Sequence, residues 1–183
     1  MKPRGPLMIE HRLIEKMLKI ISKELANIKK NNVVNPVFID TIVDFIRTYA
    51  DRTHHGKEED ILFTELEKKS LDPVNARLMK ELIEDHVTAR KIVRDLVEAN
   101  ERYAGGDRGS IDTIIEKMSF LIDFYPVHIR KEDMVFFPDT EKYFSSGELN
   151  DMLAEFREFD RKMIHEKYLK LYDSLLQKYS III

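Results

Sequence analysis

Two segments of the chain place a histidine and a glutamate at the same spacing and then continue in the same way. The segment "THHGKEEDILF" contains His54 and Glu58, and the segment "VHIRKEDMVFF" contains His128 and Glu132. Residues four positions apart lie on one face of a helix, one turn from each other. Each segment is therefore predicted to present an imidazole and a carboxylate to the same neighbour.

Two further histidines precede these pairs at similar distances along the chain. His11 lies before His54 by almost the same number of residues as His86 lies before His128. The chain thus reads as two related helical hairpins, in which the first helix supplies one His and the second supplies a His with a Glu. A lone His of this kind is usually an ordinary polar residue, but the doubled pattern indicates a metal site.

The donor set favours a pair of transition-metal ions. Mg²⁺ and Ca²⁺ prefer oxygen ligands, and a structural zinc needs fewer ligands than this pattern offers. A carboxylate can bridge two ions through its two oxygens, so Glu58 and Glu132 are predicted to touch both ions. Iron is the expected occupant, and manganese or zinc are the alternatives.

The elements that position these residues are predicted to be helices. Apolar residues recur at helical spacing, and "NNVVNP", "LDP" and "AGGDRGS" mark the breaks. Pro126 is expected to kink the fourth helix just before His128. We predict an all-α fold with a single domain over 1–183: an up-down-up-down four-helix bundle over 7–145 and an additional C-terminal helix over 146–183. The predicted helices run from about Leu7 to Lys30, Asn35 to Leu66, Asp72 to Tyr103, Ser110 through Pro126, and Gly147 to Tyr179.

Composition excludes several classes of protein. With 43% hydrophobic residues the chain can form a core, and a net charge of −3 offers no basic surface for nucleic acid or an anionic membrane. No stretch is long and apolar enough for a membrane span or a secretory signal, so a cytoplasmic location is expected. Because the chain has no cysteine, thiol catalysis and cysteine-ligated metals are excluded, and any metal must bind His and carboxylate.

The runs "HHGKEEDILF", "EDHVTAR" and "HIRKEDMVFFP" resemble the hemerythrin-like HHE cation-binding domain family. The resemblance covers about residues 7–145. It implies a non-haem di-iron site inside a four-helix bundle, bridged by two carboxylates and an oxo or hydroxo group. The implied nitrogen ligands are the four histidines of the pattern and the implied bridges are its two glutamates: His11, His54, His86, His128, Glu58 and Glu132. A ferritin-like framework is not supported, because the chain contains no Glu-x-x-His.

Two departures from the oxygen-carrying hemerythrins bear on function. Those proteins have a second His one turn after the ligand that corresponds to His86, where this chain has Arg90, and their last carboxylate is an Asp at a longer spacing from its His than Glu132. The missing imidazole implies an open coordination position. It could be filled by His165 from the C-terminal helix, so His165 is a possible further ligand.

His55 and Glu59 repeat the spacing of His54 and Glu58 one step around the helix, about 100° away. Only one pair is expected to face the metals, and alignment of "HHGKEE" with "HIRKED" selects His54 and Glu58. His55→Ala is therefore expected to retain metal. His55 and Glu59 are candidates for hydrogen bonding to the metal ligands from behind.

Four further residues lie close to these pairs in the sequence. Tyr49 and Tyr125 are predicted to lie near the site or in the core. Lys57 and Asp60 are predicted to point to water.

Three functions fit this pattern. The protein could bind or sense O2 or NO, it could be a redox enzyme that reduces O2, NO or peroxide, or it could be an iron-handling or metal-stabilised bundle without turnover. The sequence leaves enzymatic activity open. A diatomic ligand or peroxide, an electron-donor protein and a second copy of the chain in a homodimer are the possible partners.

Overall fold

The computed structural model of the protein describes residues 2–161 and 164–179. These residues form helices joined by short connections and contain no strand. None of their helices is long and apolar enough to cross a membrane. The prediction of an all-α bundle is confirmed. The α-helices are α1 (Arg4–Asn31), α2 (Pro36–Phe45), α3 (Thr64–Glu67), α4 (Pro73–Ala104), α5 (Ser110–Lys131), α6 (Phe137–Thr140), α7 (Ser146–Asp160) and α8 (Ile164–Tyr179).

Local capping chemistry sets several of the helix boundaries. Asn35 accepts a hydrogen bond from the Phe38 N–H and precedes a proline, and Asp72 repeats this arrangement at the start of α4. Ser145 and Glu148 form the predicted capping box of α7. Asn32, with φ of 53°, ends α1 in the left-handed conformation, and its N–H bonds to the Ile28 carbonyl. The sequence predicted the breaks because these rules are local.

Three π-helical segments interrupt the helices that carry the His-Glu pairs. We name them π1 (Ile46–His55), π2 (Glu58–Phe63) and π3 (Glu132–Phe136). They connect α2 to α3 and α5 to α6. A π-helix bonds i to i+5 and contains more residues per turn than an α-helix, so it changes which side chains share a face. The sequence analysis did not predict these segments.

The C-terminal region differs from the predicted single helix. It contains α7 and α8 as separate helices, with Arg161 at the end of α7. α7 packs on π2, whereas α8 packs on α1 and π1. Asp160 bonds the buried Lys57, and this contact holds the end of α7 beside the bundle. Within α5, helical structure continues through Pro126 to Lys131.

The core consists of two apolar clusters with polar residues between them along the chain. The larger cluster includes Leu13 of α1, Val93 of α4 and Ile129 of α5. The smaller includes Leu7 and Leu82 of α1 and α4. Along each helix the histidines and glutamates of the pattern therefore lie at or next to the point where residues of one cluster are followed by residues of the other.

Candidate metal centre

The buried histidines and glutamates form two groups whose candidate donor atoms lie within 4.8 Å of one another. Every member of both groups is buried. The helices α1, α4 and α5 and the segments π1, π2 and π3 each contribute at least one member. The first group contains His11, His54, Glu58 and Glu132, and the second contains His55, His86 and His128.

The two glutamates connect the two groups. Glu132 places one oxygen 3.2 Å from His11 Nε2 and the other 3.2 Å from His128 Nε2. Glu58 places Oε1 3.4 Å from His54 Nε2 and Oε2 3.5 Å from His86 Nε2. Each carboxylate therefore directs its two oxygens toward histidines of different groups, as a bridge between two cations requires.

The inner atoms of this centre have no hydrogen-bond partner among the described residues. They are Nε2 of each imidazole in the two groups and both oxygens of Glu58 and Glu132. The contacts between these nitrogens and carboxylate oxygens do not have the geometry of hydrogen bonds. A buried polar atom without a partner costs about 1–3 kcal/mol, and clustering this many of them is the arrangement that a bound cation would satisfy. Nitrogen and carboxylate donors in this proportion fit iron.

The outer nitrogens are all paired with carboxylates. A neutral imidazole that donates Nδ1–H presents the lone pair of Nε2 inward, so these contacts orient the rings for metal binding. The Nδ1 to carboxylate-oxygen distances are 2.7 Å for His11–Asp133, 2.8 Å for His54–Glu10, 3.4 Å for His55–Asp51, 2.6 Å for His86–Glu59 and 3.1 Å for His128–Asp85.

Each of these carboxylates is in turn held by a basic side chain. Charge therefore alternates outward from the centre, from imidazole to carboxylate to Lys or Arg, and each carboxylate is oriented from two sides. The pairs are Asp133–Arg12, Glu10–Lys57, Asp51–Arg90, Glu59–Arg90 and Asp85–Lys131.

The ionisation of the centre follows from this arrangement. Burial alone would lower the pKa of His11, but the hydrogen-bonded carboxylate of Asp133 and the neighbouring carboxylate of Glu132 outweigh burial and raise the pKa to about 9. The pKa of His128 is likewise raised to about 10, because Glu132 and Asp85 outweigh burial. Burial and the adjacent charge of Glu132 raise the pKa of Glu58. In the metal-free protein, protons on the imidazoles therefore balance the negative charge of the carboxylates.

The structure corrects the predicted orientation of His55. The expectation was that only His54 could face the interior, but the ring of His55 is fully buried and stacks on His86 with centroids 3.8 Å apart. The physical reason is that both histidines end π1, whose wider turn brings successive side chains closer in angle than an α-helix does. His55 therefore joins the second group, and burial together with the neighbouring imidazoles lowers its pKa well below the usual value.

Lys57 was also predicted wrongly. It was expected to point to water, but it is fully buried, bonds Glu10 and lies 2.7 Å from Asp160 Oδ1. Asp60 is exposed, as expected.

The remaining candidates lie outside the two groups. His165 belongs to a third set with Glu10 and Asp160, and its Nδ1 lies 2.9 Å from the Tyr49 hydroxyl. Tyr125 is buried beside His55, where both line a small cavity with Arg90.

Sequence reasoning missed most of the carboxylates behind the imidazoles. It named Glu59 but not Glu10, Asp51, Asp85 or Asp133. One signal was present: Glu10, Asp85 and Asp133 each adjoin a residue of the metal-binding pattern in the sequence. Adjacent residues of a helix point about 100° apart. A carboxylate that adjoins a candidate ligand in the sequence can therefore point toward a neighbouring helix and contact the outer nitrogen of a histidine there.

A model of the Hemerythrin HHE cation binding domain matches residues 6–140 and, in a second overlapping match, residues 79–174. The chain belongs to this family. Comparison with curated proteins and with solved structures found no significant match. As a hemerythrin HHE domain, the chain is a cation-binding helical bundle, and the two groups of His and Glu are where its residues could hold the cations.

Proposed function

We propose that this hemerythrin HHE domain binds two iron ions and reacts with or senses O2, NO or peroxide. The observation that carries the proposal is the pair of carboxylates, Glu58 and Glu132, whose oxygens face imidazoles of both groups without hydrogen-bond partners. His11 and His54 would hold one ion. The second would be held by His55, His86 and His128, and the glutamates would bridge the two.

Iron held by nitrogen and carboxylate ligands supplies redox chemistry toward small oxidants. The protein's own residues supply the rest. The carboxylates on each Nδ1 fix the imidazole tautomers, and the apolar clusters on either side exclude bulk water. The outer ring of Lys and Arg residues neutralises those carboxylates, so that the centre keeps a low dielectric and a defined geometry.

The position of His55 in the second group changes the sequence-based argument that the centre lacks one imidazole. Arg90 stands where oxygen carriers have an extra His, which suggested a centre short of one imidazole. The rings of His55 and His86 have centroids 3.8 Å apart, and we propose that His55 takes that role from a different helix. His165, the other candidate for an additional ligand, contacts Glu10, Asp160 and Tyr49 instead.

The experiment is anaerobic loading with Fe²⁺, followed by admission of O2 or NO while the visible spectrum is recorded. We expect a new charge-transfer spectrum in the wild-type protein and none in His54→Ala. An iron-loaded protein whose spectrum does not respond to either gas or to peroxide would contradict the proposed reactivity. It would favour the second candidate, a metal-stabilised bundle, which the complete burial of the two groups also fits. Cytoplasmic location, an electron donor and a homodimer stay predictions.

A further inference from the structure

The end of α7 covers the turn that joins two of the metal-binding segments. No described residue of α7 or α8 belongs to either group of candidate ligands. Phe159 of α7 nevertheless lies against Gly56, because a Cβ placed on Gly56 would be 3.0 Å from the ring carbon Cζ of Phe159. Gly56 directly follows His55 at the end of π1 and precedes Glu58, the first residue of π2, by two positions. The ring therefore packs where the chain passes from the histidines to the bridging glutamate.

A buried series of charges joins the next residue of α7 to the first group. Asp160 accepts hydrogen bonds from Lys57 Nζ at 2.7 Å and 2.8 Å. Lys57 is fully buried and also donates to Glu10. The other carboxylate oxygen of Glu10 lies 2.8 Å from His54 Nδ1. Asp160 is thus linked to a candidate metal ligand through two intervening side chains.

His165 attaches α8 to the same network. Its Nε2 lies 3.2 Å from Asp160 Oδ2, and its Nδ1 lies 2.9 Å from the hydroxyl of Tyr49 in π1. Burial alone would raise the pKa of Asp160, but hydrogen bonds with His165 and Lys57 outweigh burial and lower the pKa. Asp160 is therefore negatively charged at neutral pH.

The charge of Asp160 bears on a cation held by the first group. The ammonium of Lys57 and the carboxylate of Glu10 cancel each other, and Asp160 supplies one further negative charge. Opposite charges attract more strongly in a buried environment than in water, so this charge favours a metal ion nearby. Removing it would leave Glu10 as the only carboxylate partner of Lys57 among the described residues.

We propose that Phe159 and Asp160 are positioning residues for the metal ion of the first group. They hold the turn at Gly56 and the ammonium of Lys57 in the arrangement that directs His54 toward that ion. Metal affinity then depends on the docking of α7, and metal stabilises this docking in return, because the coupling between two such events is reciprocal. This inference rests on the proposed function, since it requires a metal ion in the first group.

The first test uses Co²⁺ as the probe, titrated into the metal-free protein in competition with a chelator. Asp160→Asn keeps the size of the side chain and removes its charge. We expect it to weaken the binding of one of the two ions by about tenfold, the lower end of the effect of groups that support ligating imidazoles. Asp160→Glu retains the charge and should restore most of the affinity. Asp151→Asn, an exposed aspartate of the same helix, is the matched control and should bind as the wild type does.

Phe159→Ala tests the contact with Gly56 in the same titration. We expect several-fold weaker binding, because the turn between π1 and π2 loses its cover. Phe120→Ala is the matched control, since Phe120 is 38% exposed and Phe159 is 42% exposed, but Phe120 stacks on Phe124 within α5. Unchanged Co²⁺ affinity in both Asp160→Asn and Phe159→Ala would overturn the positioning role.

Limited proteolysis measures the docking of α7 itself. Trypsin cleaves after arginine, and Arg161 is exposed directly after α7. We expect Co²⁺ to slow cleavage after Arg161 in the wild type, and we expect Asp160→Asn to be cleaved faster than the wild type in the metal-free state. A merely structural contact would not respond to metal, so equal cleavage of the wild type with and without Co²⁺ would overturn the coupling. Full iron content with unaffected variants would overturn this inference alone, whereas a wild-type protein that binds no metal would overturn the proposed function with it.

Discussion

The five imidazoles of the centre are held in the same way, with a carboxylate on the outer nitrogen and a free inner nitrogen. This regularity is the strongest reason to treat His55 as equivalent to the others. Its partner Asp51 is one helical turn away on the same segment, at 3.4 Å, the longest of these contacts. His55 is thus the candidate ligand whose orientation depends most on its own helix.

His55→Ala should lower the metal content from two ions per chain toward one, because the second group would keep only His86 and His128. The ion held by the first group should remain. Inductively coupled plasma mass spectrometry of the purified variant measures the ratio. His165→Ala is the control and should keep both ions, and full metal content in His55→Ala would show that the original assignment from the sequence was right.

Lys57→Met should destabilise the protein strongly. Lys57 is completely buried between Glu10 and Asp160, and breaking a buried ion pair typically costs about 3–5 kcal/mol because a charge is left without compensation. Urea unfolding of the metal-free protein would measure the change. Lys68→Met removes an exposed pair with Glu65 and should change the free energy of unfolding by less than about 1 kcal/mol. Similar stability of the two variants would contradict the buried network.

The π-helical segments decide which residues reach the centre. π1 ends with His54 and His55, π2 begins with Glu58, and π3 begins with Glu132. A π-helical turn amounts to one residue inserted into an α-helix. The insertion allows two consecutive histidines to serve both groups while α2 keeps its apolar face in the core.

Deletion of Arg52, an exposed residue within π1, should therefore abolish most metal binding. The segment would return to α-helical geometry, in which successive residues point about 100° apart, so that His54 and His55 could no longer both face the centre. Far-ultraviolet circular dichroism should still report a helical protein. Arg52→Ala, which removes the side chain without shortening the chain, should bind metal normally, and normal metal content after the deletion would refute the role of π1.

The sequence predicted some of these elements and not others. The helix starts at Pro36 and Pro73 and the capping box at Ser145 follow from local rules, and the sequence contained all the information they need. The pairing of His54 with Glu58 followed from helical periodicity. The orientation of His55 could not be predicted, because π-helical geometry has no local signature comparable to a cap and depends on packing between helices. The burial of Lys57 was missed for the same reason, since its partners Glu10 and Asp160 are remote in sequence.

The helices together enclose a polar layer between two apolar clusters. Apolar packing holds the helices on both sides of this layer. The layer contains carboxylate charges, which protons on His11 and His128 balance in the metal-free protein. Metal binding must displace those protons.

Metal uptake should accordingly release protons, and affinity should rise with pH. His11 and His128, with pKa values of about 9 and 10 in the metal-free protein, are protonated at pH 7, so each pH increase toward these values lowers the competition by protons. Titration with Co²⁺ in weakly buffered solution with a pH indicator would detect the release, and competition with a chelator at pH 6, 7 and 8 would give the trend. Affinity independent of pH, after correction for the chelator, would contradict the assignment of these two histidines.

The most direct test of the centre is the metal content of the protein purified without chelators and reconstituted with Fe²⁺. The wild-type chain should contain close to two iron ions, one for each group of donors. The double variant Glu58→Gln and Glu132→Gln, which keeps the size of both bridging side chains but removes their charge, should lose most of both. A wild-type protein with no iron, or with a single ion that the double variant retains, would contradict a centre bridged by these two carboxylates.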